Sequence, residues 1–136
     1  MDIRKLAVEQ TARLHLRDAS DELIFTEDTP PKAVVVIVYG PGSKQYAKAQ
    51  AAQQNRLVEK LRRKGKADQT AEQLMQEKAG FLADCTASFE NLELDKLTGD
   101  ALAVAVYSDP TIGFIADQVA KHISEWANFT KGSTTS

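Results

Sequence analysis

The sequence has little cysteine and no long hydrophobic run. Cys85 is its single cysteine, so no intrachain disulfide can form, and a reducing compartment is expected. The apolar run at residues 34–39 is far shorter than the roughly 18 residues that a membrane-spanning helix needs. Residues 1–5 lack the continuous apolar segment of a signal peptide. These absences predict a protein of the cytosol that is not bound to a membrane.

Neither sign of charge dominates, and no metal-ligand pattern is present. The formal net charge is -2, which gives no reason to expect nucleic acid as the main partner. The histidines, His15 and His122, lie far apart, and spacings such as Cys-x-x-Cys do not occur. His15 falls on the polar face of a predicted strand and His122 beside an apolar helical stripe, so both are predicted to face solvent or lie at a rim. Cys85 falls on an apolar stripe and is predicted to be a core residue.

The acidic residues give no sign of an acid–base pair. Asp18, Asp21, Glu27 and Asp28 lie in predicted turns. Acid–base catalysis needs carboxyl groups whose surroundings move their pKa values apart, and exposed turns rarely do so. Nothing in the local sequence places Ser43 next to a histidine that would activate it as a nucleophile. We therefore expect a protein that is not an enzyme and that uses neither a cofactor nor a metal.

What the sequence does contain is a strong strand signal at residues 34–39. All six residues are β-branched or aromatic, and their stiff χ1 angles suit a pleated strand. Pro30-Pro31 precedes the run and Gly40-Pro41-Gly42 follows it, and such breakers are typical of element boundaries. We predict that this segment is the central strand on which the helices pack.

Two weaker strand signals precede the central strand. Residues 12–16 alternate between apolar and polar side chains, and residues 22–25 form a short run after a turn cluster. Because the connections are short, we predict a hairpin over residues 12–26 and, with the central strand, an antiparallel meander. One or two turns of helix are predicted over residues 2–9.

The first long helical signal follows the Gly-Pro-Gly turn. Ser43 is suited to cap a helix over residues 43–64, with Gly65 as its C-cap. The turn could also cradle a phosphate, but P-loop spacing is missing and Pro41 lacks a backbone donor, which favours a simple turn and cap. Basic residues near the helix end lack the interleaved aromatic residues of a nucleic-acid site, which favours a charged helix end.

Further helices are predicted in the second half of the chain. A threonine and a glutamine three residues apart have the spacing of a capping box and open a helix over residues 70–90. A short apolar helix begins around residues 98–101. Asp109, followed by proline, is a start signal for a last amphipathic helix, whose apolar residues recur at steps of three and four as far as Trp126.

Together these signals predict one α+β domain over residues 1–129. Its β region, a small N-terminal antiparallel meander, would span residues 12–39. A mainly helical bundle of about four helices would span residues 43–129. Residues 130–136 have no apolar content and are predicted to be a disordered polar tail.

Two blocks of the sequence resemble tail assembly chaperones of long-tailed bacteriophages. The first comprises the strand end and Gly-Pro-Gly turn at residues 38–46 with the Ala/Gln/Asn-rich helix at residues 49–56. The second is VYSDPTIGFIADQV at residues 106–119, with WANF at residues 126–129. The likeness covers most of residues 12–129, and its motifs are structural rather than catalytic.

The resemblance implies a small, mainly helical protein of the host cell cytoplasm that self-associates. It implies binding to the long tape-measure protein, which the chaperone keeps soluble while tail-tube subunits polymerise around it. It also implies absence from the finished virion. A longer form made by ribosomal frameshifting, common in this family, would provide contact with the tail-tube protein.

A hydrophobic groove would suit the amphipathic helices of a tape-measure protein. Following the resemblance, we predict such a groove along the exposed side of residues 43–63 and parts of the last helix. The predicted partner-binding residues are Tyr46, Gln53, Leu57, Trp126 and Phe129, the last two as aromatic anchors. Trp126 also has a simpler interpretation, which is packing in the core.

Other classes of protein remain open. A virion structural protein, such as a tail-completion or connector subunit, would be found in purified particles, whereas a chaperone would not. A nucleotide-binding enzyme that uses the turn at residues 40–44 would be stabilised by its nucleotide.

Overall fold

A computed structural model describes residues 1–64 and 70–130. The described residues form one antiparallel sheet of three strands and four α-helices, which confirms the predicted α+β class. In chain order these are β1 (Thr11–His15), β2 (Val35–Tyr39), α1 (Lys44–Lys64), α2 (Ala71–Asp84), β3 (Thr86–Glu90), α3 (Gly99–Ser108) and α4 (Gly113–Ile123). Short 3-10 helices lie at Ile3–Leu6, Pro110–Ile112 and Trp126–Phe129.

The sheet is built around β2, as the sequence predicts. Its order is β1-β2-β3, and Val36 of β2 lies opposite Leu14 of β1 and Phe89 of β3. Val36 and Val38 are fully buried. Because the polar backbone groups of a buried strand must be paired on both of its edges, β2 requires two neighbouring strands.

The third strand is not the one that the sequence predicts. Residues 22–25 form only isolated bridges, to Arg17 and to Ala33. The third place in the sheet is taken by β3, although β3 lies inside the predicted helix at residues 70–90. The prediction of an N-terminal meander confined to residues 12–39 is therefore wrong in one strand. Residues 22–25 are not a strand of the sheet, and β3, from the second half of the chain, takes that place.

Local hydrogen bonds explain why α2 ends before β3. Cys85 lies at the C-cap of α2, where its N–H donates to the Leu82 carbonyl at 3.1 Å. The Thr86 hydroxyl also donates to that carbonyl, at 2.8 Å, so a side chain satisfies a group that another helical turn would have used. Phe89 fits a helical step of four from Cys85, but in the fold it lies opposite Val36 in the sheet.

The N-caps predicted for the first two α-helices are present. The Ser43 hydroxyl accepts a hydrogen bond from the Tyr46 N–H at 3.1 Å, at the start of α1. Thr70 and Gln73 form the reciprocal capping box, with bonds of 3.0 and 3.1 Å between each side chain and the other residue's N–H. The predicted C-cap, Gly65, lies outside the described residues.

The last predicted helix is divided into pieces. The Asp109 side chain accepts a hydrogen bond at 2.9 Å from the N–H two residues further on, which confirms it as a cap. A 3-10 helix follows it, and α4 ends at Ile123 instead of continuing to Trp126, because Glu125 has an extended backbone. Trp126–Phe129 forms a separate 3-10 helix, which we call the C-terminal turn. Residues 131–136 of the predicted tail lie outside the described residues.

The core lies between the sheet and helices α2, α3 and α4. Its buried apolar side chains include Leu14, Val36, Val38, Leu82, Val106, Val119, Ile123 and Phe129. Helix α1 contributes much less, since Ala49 is the only buried residue among its described side chains. A helix of 21 residues with so little buried surface leaves most of its faces open to other molecules.

Candidate functional site

Helices α1, α2 and α4 border an open groove of about 430 Å³. We call it the helical groove, and its lining includes Tyr46, Gln53, Leu57, Leu74, Phe81 and Ile123. Three of the predicted partner-binding residues, all on α1, therefore lie together in it. The sequence predicts a contribution from part of the last helix, which includes Ile123. It does not assign the α2 residues Leu74 and Phe81 to a site, although both lie on an apolar helical stripe.

The outer parts of α1 and α2 expose apolar side chains. Leu57 and Leu74, which line the groove, are 38% and 57% exposed. Val58 and Leu61, further around and along α1, are 59% and 44% exposed. Burying apolar surface is worth about 25 cal/mol per Å². A partner that covers this surface would therefore gain binding free energy without any change in the fold.

Ion pairs hold the walls of the groove in place. The Arg56 Nε of α1 lies 2.9 Å from both carboxylate oxygens of Glu77 on α2, and the Lys60 ammonium lies 3.8 Å from the same group. The Lys78 ammonium of α2 lies 2.8 Å from Asp117 of α4. Since these groups are partly exposed, each pair contributes at most about 1 kcal/mol to stability. They link α1 to α2 and α2 to α4 at the sides of the groove.

An aromatic pair forms the inner end of the groove. The rings of Tyr46 and Phe81 meet edge to face, with centroids 5.8 Å apart and planes at 78°. The Gln50 amide of α1 donates to the Tyr46 hydroxyl at 3.3 Å. Tyr46 is therefore half-buried, with its ring in the wall and its polar end within reach of the surface.

Neither of the two predicted aromatic anchors lines the helical groove, and they differ in burial. Phe129 is 1% exposed and belongs to the core, so its predicted role as an exposed anchor does not fit its position. Its ring occupies the space in front of Gly40, where an added Cβ would overlap it. Trp126 is 57% exposed, so the interpretation of Trp126 as a core residue is wrong.

Two backbone donors at the Gly-Pro-Gly turn are used within the fold. The Gly40 N–H donates to the Gln10 carbonyl at 2.8 Å, and the Ser43 N–H donates to the Gly40 carbonyl at 3.0 Å. The Ser43 hydroxyl is buried and donates to the same carbonyl at 2.8 Å. This is the arrangement of a turn and helix cap, and these groups are not directed outward as a phosphate cradle requires.

Both histidines are buried, contrary to the prediction that they face solvent. His15 is 8% exposed, its Nε2 lies 2.8 Å from the Ile24 carbonyl, and its ring packs edge-on against Phe25. Ile24 and Phe25 therefore cover the His15 end of the polar face of β1, whereas Arg13 on the same face is exposed. His122 is 6% exposed and lies against the Phe129 ring, with centroids 5.9 Å apart.

His122 is also unusual in its hydrogen bonding. Its Nε2 is buried and has no hydrogen-bond partner among the residues that the structure describes. Burial disfavours the charged imidazolium and lowers the pKa of His122, and the nearby Glu125 carboxylate only partly opposes this effect. The ring is therefore held in its neutral form at physiological pH.

Cys85 is a core residue, as the sequence predicts. It is fully buried and free of any disulfide. Burial, together with the neighbouring Asp84 carboxylate, raises the pKa of the Cys85 thiol to about 12. Because the thiolate is the reactive form, this cysteine is not activated as a nucleophile or as a metal ligand.

The described part of the chain contains neither a metal-ligand cluster nor a helix suited to cross a membrane. Across residues 1–64 and 70–130, no group of three or more His, Cys, Asp or Glu side chains is placed to hold a metal ion. Among the helices of those same residues, none combines the length and apolar character needed to cross a membrane.

Comparison with known proteins gives no relatives. No family model matches the sequence, and no curated protein and no solved structure matches it either.

Proposed function

We propose that this protein is a tail assembly chaperone of a long-tailed bacteriophage, which binds the tape-measure protein in the host cell cytoplasm and keeps it soluble. The observation that carries the proposal is the open helical groove, whose lining includes Tyr46, Leu57, Leu74 and Phe81. The resemblance of residues 38–56 and 106–129 to that family supports the same function.

The groove suits an amphipathic helix better than a small molecule. Its walls are helices, its lining is mainly apolar, and it opens along α1 instead of closing into a cavity. Gln53 and Gln54 supply neutral amide groups at the edge, which can bond to polar groups beside the apolar stripe of a partner helix. Many chaperone copies on one long tape-measure protein would gain avidity from weak single contacts.

Further parts of the proposal follow from the resemblance alone. The chaperone forms homo-oligomers, is absent from the mature virion, and contacts the tail-tube protein through a longer frameshifted form. From composition and motifs, and not from the resemblance, we also expect that it acts without nucleic acid, membrane, cofactor or catalysis.

The groove is tested by a charge placed in its lining. We expect Leu57→Asp to lower the soluble fraction of co-expressed tape-measure protein several-fold, because an unpaired carboxylate would be buried in the complex. Asn55→Asp is the matched control, since Asn55 is exposed on the same helix, is already polar and does not line the groove. The measurement is tape-measure protein in the soluble fraction, with circular dichroism of each variant to verify its fold.

Two results would contradict the proposal. Equal solubility of the tape-measure protein with and without this chain would remove the chaperone function. Detection of the chain by mass spectrometry in purified particles, in amounts comparable to tail proteins, would favour the alternative, a virion structural tail-completion or connector protein.

A further inference from the structure

β3 is an edge strand with an open outer side. The sheet order β1-β2-β3 places β2 on one side of β3, and no strand lies on its other side in residues 1–64 and 70–130. In an antiparallel pair, every second residue directs its N–H and C=O away from the neighbouring strand. The outer edge of β3 therefore carries backbone groups that another strand can join.

A groove of about 960 Å³ runs along this edge. We call it the β3 groove; β3 forms one wall, the connector at residues 92–98 another, and the start of α3 a third. Phe89, Leu92 and Leu94 are half-buried along it, and Leu102 is buried beneath it. Apolar pockets beside free backbone groups are the two features that strand-addition sites combine.

The connector does not fill the edge itself. Asp95 and Lys96 have φ angles of 51° and 60°, and Asn91, directly after β3, has a φ of 63°. Left-handed residues turn the chain and do not continue a strand. No backbone hydrogen bond joins residues 92–98 to β3 in the described structure.

The charges around the β3 groove are mainly acidic. Glu93, Asp95 and Asp100 line it and are exposed, against a single lysine, Lys96. None of these carboxylates takes part in an ion pair with another described residue, whereas Glu90 at the end of β3 is paired with Arg13 at 3.0 Å. The groove therefore presents uncompensated negative charge to whatever binds there.

From this arrangement we infer that the β3 groove binds an extended, basic segment of a partner protein, which adds to the sheet as a fourth strand. Backbone groups of the segment pair with the outer edge of β3. Alternate apolar side chains enter the pockets at Phe89, Leu92 and Leu94, and flanking Lys or Arg side chains face Glu93, Asp95 and Asp100. This site goes beyond the proposed function, since it lies outside the helical groove and recognises a strand instead of a helix.

Charge argues against a second copy of this chain as the occupant. If two β3 edges paired, both acidic groove linings would be brought to one interface, and like charges across an interface are unfavourable. A basic segment has the opposite effect, because it neutralises these carboxylates when it binds.

The inference is tested with the full chain and designed peptides. The probe is a fluorescent peptide of alternating valine and threonine with two lysines at each end, and binding is followed by fluorescence anisotropy. A peptide with glutamates in place of the lysines should bind at least about tenfold more weakly. Two N-methylated versions, methylated on alternate sets of backbone nitrogens, should differ sharply, because only one set faces β3.

Matched variants distinguish peptide binding in the β3 groove from general attraction between opposite charges. The triple variant E93Q/D95N/D100N should weaken binding of the lysine peptide by about tenfold or more. The control E22Q/E27Q/D28N removes the same charge from exposed acids outside the groove and should leave binding within about twofold of the original protein.

Several outcomes would overturn the inference. Equal loss of binding in the two triple variants would mean general attraction between opposite charges. Equal binding of both N-methylated peptides would exclude strand addition. No binding of the lysine peptide at all, or a dimer in sedimentation equilibrium whose formation excludes the lysine peptide, would also contradict it, the latter in favour of pairing between two copies through β3.

Discussion

At the scale of single residues, Gly40 shows how a missing side chain shapes the fold. A Cβ on Gly40 would come within 2.7 Å of Cγ in the Phe129 ring. We expect Gly40→Ala to lower the free energy of unfolding by about 1–3 kcal/mol, because either the ring or the turn must move. Urea denaturation followed by circular dichroism measures this change.

Gly113→Ala is the matched control for that prediction. A Cβ at Gly113, the first residue of α4, would meet no atom within 4 Å. Because alanine is favoured over glycine in a helix, its stability should be unchanged or raised by at most about 1 kcal/mol. A similar loss in both variants would contradict the packing of Phe129 against Gly40.

The lowered pKa of His122 predicts that the stability of the fold depends on pH. Burial lowers its pKa below the ordinary value of 6.5, so the unfolded chain takes up a proton at a higher pH than the folded chain does. The stability that this group contributes is fully present above pH 6.5 and is lost as the pH falls toward the folded pKa. Urea denaturation between pH 7.5 and pH 5.5 should therefore show a decrease in the free energy of unfolding.

The control for that measurement is His122→Leu, which cannot titrate. Its stability should fall less over the same pH interval, whatever its value at pH 7.5. Equal pH dependence in the two proteins would mean that His122 is not the group responsible.

At the scale of elements, caps with and without a side-chain bond allow a direct comparison. Thr70 accepts the Gln73 N–H at the start of α2, whereas Thr98 at the start of α3 makes no such bond. Thr70→Ala should therefore cost about 1 kcal/mol of stability, and Thr98→Ala clearly less. Thermal and urea unfolding of both variants test this, and an equal loss would show that the Thr70 bond is not decisive.

Helix caps are the elements that the sequence predicts well. Ser43, Thr70 and Asp109 were identifiable as caps because capping involves residues within one turn of each other. The boundary between α2 and β3 was not identifiable, since Cys85 and Phe89 fit a helical stripe as well as they fit the sheet. Residues 86–90 form a strand because the buried backbone of β2 requires a second neighbouring strand.

At the scale of the whole molecule, burial is divided unevenly between the sheet and α1. Val36 and Val38 of β2 are fully buried, whereas α1 has one buried residue among its described side chains. Amide hydrogen exchange should therefore be slowest in β2 and much faster in the outer half of α1. Equal protection of the two segments would contradict an α1 that is held by few contacts, and protection of α1 on addition of a partner helix would support binding there.

Also at the scale of the whole molecule, the helical groove is assembled from three helices that are far apart in the sequence. The sequence identified Tyr46, Gln53 and Leu57, which lie at helical spacing on one segment. It also predicted that part of the last helix lines the groove, but it could not show that α2 supplies another wall, nor that Trp126 and Phe129 lie elsewhere. Those positions depend on where α4 ends and on which ring fills the space at Gly40.

The sequence by itself determined the central strand, the starts of the long helices, the α+β class and the buried character of Cys85. These features follow from signals within a few residues, such as β-branched runs, caps and apolar periodicity. The tertiary structure alone decided the third strand, the burial of both histidines, the position of the aromatic residues at the C-terminal turn, and both grooves. Each of these depends on contacts between residues far apart in the chain, where packing and backbone pairing outweigh local preference.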